Sequence, residues 1–495
     1  MGQAVFTRGS TLRHILVMTS TSSIGLMTMF AVDLADMYFL SLLGEQELAA
    51  AIGFAGTLLF LLTAISIGLN IAMGAMVSRA EGAHNRAGAR RYCTNVLLLS
   101  GIISAVLTVP LWITLPDLLS FLGATGLTHE YAVAYGRILL PSTMFLTVGM
   151  VGASALRAVG AAKLSMYATM IGGAVNAILD PLFIFTFGWG LEGAAWASVI
   201  ARLAIVLMAL IPLHRKYNLM APPSLNHFLA DFKPVMVIAL PAMLTNLATP
   251  IGSSYVLKSM AEFGDSAVAG TAIIGRLAPV AFGFVFALSG AIGPIIGQNA
   301  GQHLYGRVRE AIRNALLVNL VYVCCVWLLL ALCADYVINA FDASGDAAEL
   351  LYFYLHWLIG GFVFAGTLFI TNACFNNLNR AHIATLFNFA RAFLGTVPAV
   401  FILAPIFGAK GVLAGETIGV VIWSLLAVWL VNRTVNVIQA GIELPKTEVE
   451  ELFEPLKEDE TCQWAYSSGQ AQLNQQCHSH IDSDERGDTP EKPIR

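Results

Sequence analysis

The sequence predicts an all-α polytopic membrane protein with about twelve transmembrane helices in two pseudo-symmetric six-helix lobes. Three observations lead there. The chain carries too few charges to cover a water-exposed fold. It contains twelve apolar segments, each long enough to cross a bilayer. A residue pattern near the end of the second segment returns 219 positions later, near the end of the eighth.

Of 495 residues, 57% are hydrophobic and 12% charged, and the mean hydropathy is +0.72. A soluble domain carries about 25% charged residues, so here the bilayer has to act as solvent. The formal net charge of −4 leaves no basic footprint for nucleic acid. Seven cysteines occur, Cys93, Cys324, Cys325, Cys333, Cys374, Cys462 and Cys477, and their spacing suggests no disulfide framework. Five of them sit in or beside apolar runs, where a thiol behaves as a small hydrophobe.

The apolar segments cover about 15–42, 49–76, 94–115, 131–155, 166–187, 191–213, 235–260, 267–296, 314–341, 350–375, 382–406 and 411–432. The first is far longer than the roughly 7–15 residue core of a signal peptide, so it reads as a span that stays in the protein. These runs are apolar on every face, whereas barrel strands alternate polar and apolar.

Loop charges orient the segments. Arg79, Arg86, Arg90 and Arg91 follow the second, Arg157 and Lys163 the fourth, and Arg215, Lys216 and Lys233 the sixth. Arg307, Arg309 and Arg313 follow the eighth, and Arg380 the tenth. The intervening loops carry Glu45, Glu47, Asp117, Glu192, Glu262, Asp265, Asp342, Asp346 and Glu349, with Lys410 the basic residue of the last. Positive residues favour the cytoplasmic side, so both termini are expected in the cytoplasm. The alternation supports an even helix count independently of hydropathy.

Gly82, His84 and Arg90 form a G-x-H-(x5)-R pattern that recurs as Gly301, His303 and Arg309. Upstream, Gly44 and Glu45 before Leu48-Ala49-Ala50 match Gly264 and Asp265 before Val268-Ala269-Gly270. An even number of helices per half makes such repeats parallel, the arrangement of alternating-access transporters with a site between the halves. The expected organisation is a first lobe over 1–213, a cytoplasmic linker over 214–234 with Pro222 and Pro223, a second lobe over 235–437, and a disordered cytoplasmic tail over 438–495.

Ionisable residues within predicted helices cost roughly 2.5–3.5 kcal/mol each on insertion scales. Asp33 and Asp36 share a helix face at i, i+3, and Asn176 and Asp180 share one at i, i+4. Helical rise places Asp33, Asp180 and Ser198 at one level, roughly 10–13 Å below the acidic end of their helices. Pro181 lacks an N–H, so the carbonyl of Ala177 loses its helical donor. Carboxylate, amide, carbonyl and hydroxyl oxygens suit a hard cation or a proton relay. The alternative is that they only hydrogen-bond neighbouring helices. Arg202 and Arg391 also lie inside segments, where snorkelling or pairing is expected, and Arg137, Lys258 and Arg276 lie nearer the outer ends. Pro250, Pro279, Pro294, Pro398 and Pro405 can kink helices. Sixteen Met and 28 Phe can line an apolar cleft, or simply face lipid and core. Cys477-His478-Ser479-His480 resembles a metal-ligand cluster, but a lone cluster is a weak signal and no metal is expected. The sequence has no H-E-x-x-H, G-x-S-x-G or P-loop pattern, so neither an enzyme nor an ATP-driven pump is expected.

Several of these runs resemble the MATE (multidrug and toxic compound extrusion) family. They are Val32-Asp33 followed by Leu42-Leu43-Gly44, Ser78-Arg79-Ala80-Glu81-Gly82-Ala83-His84-Asn85, Leu156-Arg157-Ala158-Val159-Gly160, Asn176-Ala177-Ile178-Leu179-Asp180-Pro181 and Gly193-Ala194-Ala195-Trp196-Ala197. The similarity covers roughly residues 12–435. It implies two lobes around a V-shaped cleft, and export of drugs or amphipathic, often cationic, metabolites in exchange for H+ or Na+ across the plasma membrane, in a bacterium the inner membrane. It also implies a cation-coupling site at Asp33, Asn176, Asp180 and the Ala177 carbonyl, with Ser198 where one branch carries threonine and Asp36 as an additional member. Other branches carry essential acids in helices seven and ten. Here Asn246 and Thr249 occupy that part of helix seven and helix ten has no acid, so coupling is expected in the first lobe. The expected partners are a small amphipathic or cationic substrate, H+ or Na+ and lipid, with no nucleic acid and no cofactor, and the chain is expected to act as a monomer. The competing readings are a flippase for a lipid-linked precursor, which would favour a strongly basic cleft, a membrane-embedded lipid enzyme, and a passive channel. A chain ended near Val435 is expected to retain transport, measured as substrate efflux beside the full-length protein.

Overall fold

The computed structural model describes residues 4–43 and 46–441. Twelve helices among them are long and apolar enough to cross a membrane, and no strand occurs among the described residues. We label the spans α1 Thr11–Ser41, α2 Gln46–Gly82, α3 Arg86–Ile113, α4 Gly126–Ala158, α5 Ala162–Thr186, α6 Gly190–Arg215, α7 Leu225–Ala261, α8 Asp265–Gly301, α9 Tyr305–Leu332, α10 Gly345–Asn377, α11 Ala381–Phe407 and α12 Ala409–Gln439. In lipid each backbone donor and acceptor must be satisfied within the protein, which helices do residue by residue.

The helices extend past the apolar segments that announce them. α3 and α9 begin at Arg86 and Tyr305, so the arginine clusters are helical turns rather than loops. Hydropathy trims such charged turns because it marks where lipid is, not where hydrogen bonding stops. The ninth segment, expected to run to 341, breaks after Leu332, and a short separate helix follows over Ala334–Ala340. Most of the expected linker is also helix, since α7 starts at Leu225 and takes Pro234 inside it. The expected tail begins inside α12, which runs to Gln439, and beyond Gly441, including Cys462 and the Cys477–His480 cluster, it lies outside the described residues.

The sequence repeat is a repeat of backbone. α2 and α8 each have 37 residues, and α3 and α9 each have 28. α5 and α11 start 219 residues apart, as do α6 and α12. After α2 and after α8 the chain takes a left-handed turn at a histidine, His84 (φ 57°) and His303 (φ 56°). Around each the same pair of bonds closes the helix: His84 N–H to Glu81 O (3.1 Å) with Asn85 N–H to Ala80 O (2.9 Å), and His303 N–H to Ala300 O (3.0 Å) with Leu304 N–H to Asn299 O (2.8 Å). This is a Schellman helix stop with histidine in the left-handed position. The arginine of the motif reaches the end of the sixth helix of its own half or the chain just beyond it. Arg90 donates to Met220 O (2.9 Å), and Arg309 donates to Gln439, the residue 219 positions after Met220.

The glycine of the motif joins the halves. A Cβ on Gly82 would lie 2.1 Å from the carbonyl oxygen of Gln298, and one on Gly301 would lie 2.2 Å from that of Arg79. Residues 79 and 298 are themselves equivalent in the repeat, so the two contacts are one contact seen from both sides of a pseudo-two-fold axis. All other glycine approaches between the halves lie on the same side of mid-height or at it: Gly297 against Ser78, Gly68 against Met243 and Gly283 against Met27. Buried Asp231 on α7 takes Arg91 (3.0 Å) and Asn95 (2.6 Å) of α3 across the same seam. Buried Phe6 and its neighbours strap it further, with Phe6 N–H donating to Gln298 Oε1 (2.9 Å) while Gln298 Nε2 donates to Ala158 O (2.8 Å). The end of the bundle carrying the arginine clusters is therefore closed. Towards the opposite, acidic end, Gly53 and Gly56 of α2 and Gly275 of α8 meet no neighbouring atom within 4 Å.

Gly82→Val and Gly301→Val are each expected to cost about 1–3 kcal/mol by overpacking against backbone. The purified protein should melt lower in a thermal scan, whereas Gly306→Ala, which points into open space, should leave the melting temperature unchanged.

Candidate functional site

The site is built where α1 crosses α5. Gly173 allows the crossing, since a Cβ there would sit 3.0 Å from Thr28 and 3.1 Å from Val32. Directly after Val32 and one turn beyond it, α1 presents Asp33 and Asp36 towards the level of Asn176 and Asp180. The amide nitrogen of Asn176 donates to Asp36 Oδ1 at 2.9 Å and to Asp180 Oδ2 at 2.6 Å. Asn176 and Asp180 are buried, and Asp36 is half-buried. Asp180 Oδ1 is enclosed and accepts from no N–H or hydroxyl among the described residues, and the Asp36 and Asp180 carboxyls lie within hydrogen-bonding reach of each other.

The structure thus brings three of the residues singled out from sequence into one hydrogen-bonded group, and the member supplied by α1 is Asp36. Asp33 is exposed by its protein surroundings alone and lies outside this group, within electrostatic reach of Asp36 and Arg202. Ser198 is half-buried on α6 and has no hydrogen bond to the group among the described residues. Beyond Pro181 the helix loosens. Leu182 N–H turns back to Leu179 O, and Leu182–Thr186 winds as a π-helix. Such widened turns concentrate at functional sites. This is the segment where loss of the Pro181 donor was expected to disturb the ladder near Ala177.

Arg202 does not snorkel. Its Nη1 donates to Leu139 O (3.2 Å) and Ser142 Oγ (2.7 Å) on α4, and Tyr135 of α4 lies within electrostatic reach of Arg202, Asp33, Asp36 and Asp180. The first half therefore holds three carboxylates with one fixed guanidinium beside them. Two carboxylates sharing one amide donor repel when both are ionised. A proton or a bound cation between them removes that repulsion, and the two carboxyls are close enough to share it.

In the second half, Asn246 bonds its own helix, to Ala242 O at 2.8 Å, and Thr249 receives Arg391 Nη2 at 3.5 Å. The sequence reading passed over Glu416, which lies on α12 within electrostatic reach of Arg391 and Tyr354. Its signal was plain, a lone acid within an apolar segment. Arg137, Lys258 and Arg276 are exposed.

The MatE family model matches residues 22–182 and again 241–401, two stretches in the same 219-residue register as the helices. The chain belongs to the MATE family. Among the relatives of this MATE protein are the FAD transporter of Shewanella oneidensis, 28% identical over 438 residues that make up 86% of this chain and 96% of that protein. Another is the multidrug export protein MepA of Staphylococcus aureus, 22% identical over 413 residues, 81% of this chain and 87% of that one. Among solved structures, the MATE transporter VcmN of Vibrio cholerae superposes with a TM-score of 0.81 at 25% identity, covering 86% of this chain and 97% of that one. An outward-facing multidrug resistance MATE transporter superposes with a TM-score of 0.82 at 22% identity, covering 88% and 98%. This MATE protein is accordingly a multi-pass membrane transporter of small molecules.

Asn176→Leu removes the donor that both carboxylates share, and a buried acceptor left unpaired costs about 1–3 kcal/mol. The variant should melt lower than wild type, and raising the proton or sodium concentration should restore part of the loss by supplying the charge that the amide offset.

Proposed function

We propose that this transporter is an H+- or Na+-coupled antiporter that exports drugs or amphipathic metabolites, cationic ones among them, across the plasma membrane by alternating access. The coupling ion is held in the first half by Asp36, Asn176 and Asp180, with the Ala177 carbonyl, Ser198 and Asp33 completing the site as it loads. The observation that carries this is the pair of carboxyls, Asp36 and Asp180, that share the Asn176 amide and lie within hydrogen-bonding reach of each other. Two acids this close inside a helix bundle carry a repulsion that a proton or cation between them removes. Closure at the basic end and open space around the acidic-end glycines support a cleft that faces outward when the basic end lies in the cytoplasm. That orientation places both termini inside and assigns the first six spans and the last six to two lobes that rock about the Gly82–Gly301 crossing.

The relatives frame the substrate. One is named for multidrug export and another for FAD, so the compounds carried extend from amphipathic drugs to phosphorylated aromatic metabolites.

The test is gradient-driven efflux from proteoliposomes, with wild type beside Asp180→Asn and the proton and sodium gradients collapsed separately. Wild type should transport with one gradient. Asp180→Asn should insert normally and lose coupled transport, because the amide keeps the hydrogen bond but holds no exchangeable ion. Undiminished coupling in the variant would overturn the assignment.

A further inference from the structure

The second half contains an arginine and a glutamate inside its spans, within electrostatic reach of each other, that neither the repeat nor the coupling site explains. Arg391 lies ten residues into α11 from Ala381, about 15 Å from the basic end, and so near the middle of a hydrocarbon core about 30 Å thick. No arginine snorkels that far. Leu386, Phe393 and Leu394 mark the outer face of α11, at 64%, 49% and 68% exposure, whereas Phe387 and Asn388, one turn before Arg391, and Gly395, one turn after it, are buried. On α12, Ile418, Ile422 and Leu425 face outward, and Glu416 lies on the side of buried Val412 and Val420. Both ionic side chains therefore project into the protein.

The guanidinium is under-used. Its Nε is enclosed with no partner among the described residues, and Nη2 reaches Thr249 only at 3.5 Å, the outer limit of a hydrogen bond. Arg391 sits at the start of a π-helical turn, Arg391–Thr396, a local widening that cost the helix its regular ladder. The pair is also not a requirement of the fold. The positions equivalent to Arg391 and Glu416 in the first half, 219 residues earlier, are Gly172 and Ala197. The repeat keeps the scaffold glycines, histidines and arginines while these charges occur once.

We propose that Arg391 is the site that receives the phosphate of an amphipathic aromatic substrate, with the Thr249 hydroxyl beside it and Glu416 as the counter-ion that holds the guanidinium when no substrate is bound. This deepens the transport reading and rests on it. A planar guanidinium with free donors matches a phosphate in two-point geometry, and Arg391 and the carboxylates of the first half then give the two halves opposite charge.

The experiment is binding of three flavins to the full chain in lipid nanodiscs, read by flavin fluorescence: riboflavin without phosphate, FMN with one and FAD with two. Wild type should bind FMN and FAD about tenfold or more tighter than riboflavin, the scale of a hydrogen bond to a charged group. The neutral pair Arg391→Gln with Glu416→Gln, which leaves no orphaned charge, should bind all three alike. Glu416→Gln alone should bind FMN more tightly than wild type, because the competing carboxylate is gone. Equal affinity of wild type for FMN and riboflavin, or a phosphate preference that survives in the double variant, would overturn the site. If no flavin binds to a wild type that still exports a cationic dye against a gradient, the phosphate site falls and the transport reading stands. If dye export fails as well, the transport reading falls with it.

Discussion

The structure depends on the crossing of α2 and α8, where two glycines let two backbones touch. Gly82 rests on the carbonyl of residue 298 and Gly301 on that of residue 79, and no side chain fits at either place. In a bilayer there is no hydrophobic force to draw helices together, since lipid is as apolar as leucine, and close approach of small residues supplies the packing instead. The two contacts are equivalent under the repeat, so both halves meet on the same terms. Histidine caps stop both helices directly after the crossing, and the following arginine ties in the end of the sixth helix of each half.

That symmetric scaffold carries unsymmetric chemistry. The first half collects Asp33, Asp36 and Asp180 around Asn176 and Arg202, and the second holds Arg391 with Glu416. None of these charges is needed for the packing that the repeat enforces, and each is costly inside a membrane. The charges in the two halves are therefore differently composed, three acids with one guanidinium in the first and one guanidinium with one acid in the second. The closed basic end, held by the glycines, by Asp231 and by the Phe6 strap, is made of short-range contacts.

Much was legible in the sequence because bilayer thickness and backbone satisfaction act on composition directly. Twelve spans, their alternation of loop charge and the two-fold repeat all follow from residue types in order. The meaning of the G-x-H-(x5)-R motif did not, since a glycine that meets a backbone and a histidine that stops a helix look alike in one dimension. The site was legible as a set of residues. Asn176 and Asp180 share a face by spacing alone, but i, i+3 spacing put Asp33 and Asp36 on one face without saying which of them reaches Asn176. Glu416 was legible as a lone acid in an apolar segment, but its proximity to Arg391, 25 positions away on another helix, was not.

By itself the sequence determined that this chain crosses a membrane as helices, that it is built twice over, and that its ionisable interior residues are few and concentrated. Those are consequences of solvent and period, which every residue feels locally. Only the tertiary structure decided which acid on α1 shares the Asn176 amide, that its carboxyl and that of Asp180 lie within reach of each other, that the arginine-bearing end is shut, and that Arg391 points inward at mid-depth. These depend on how far one helix slides and turns against another, which is fixed by contacts such as Gly173 with Val32 and Gly82 with Gln298, between residues far apart in the chain.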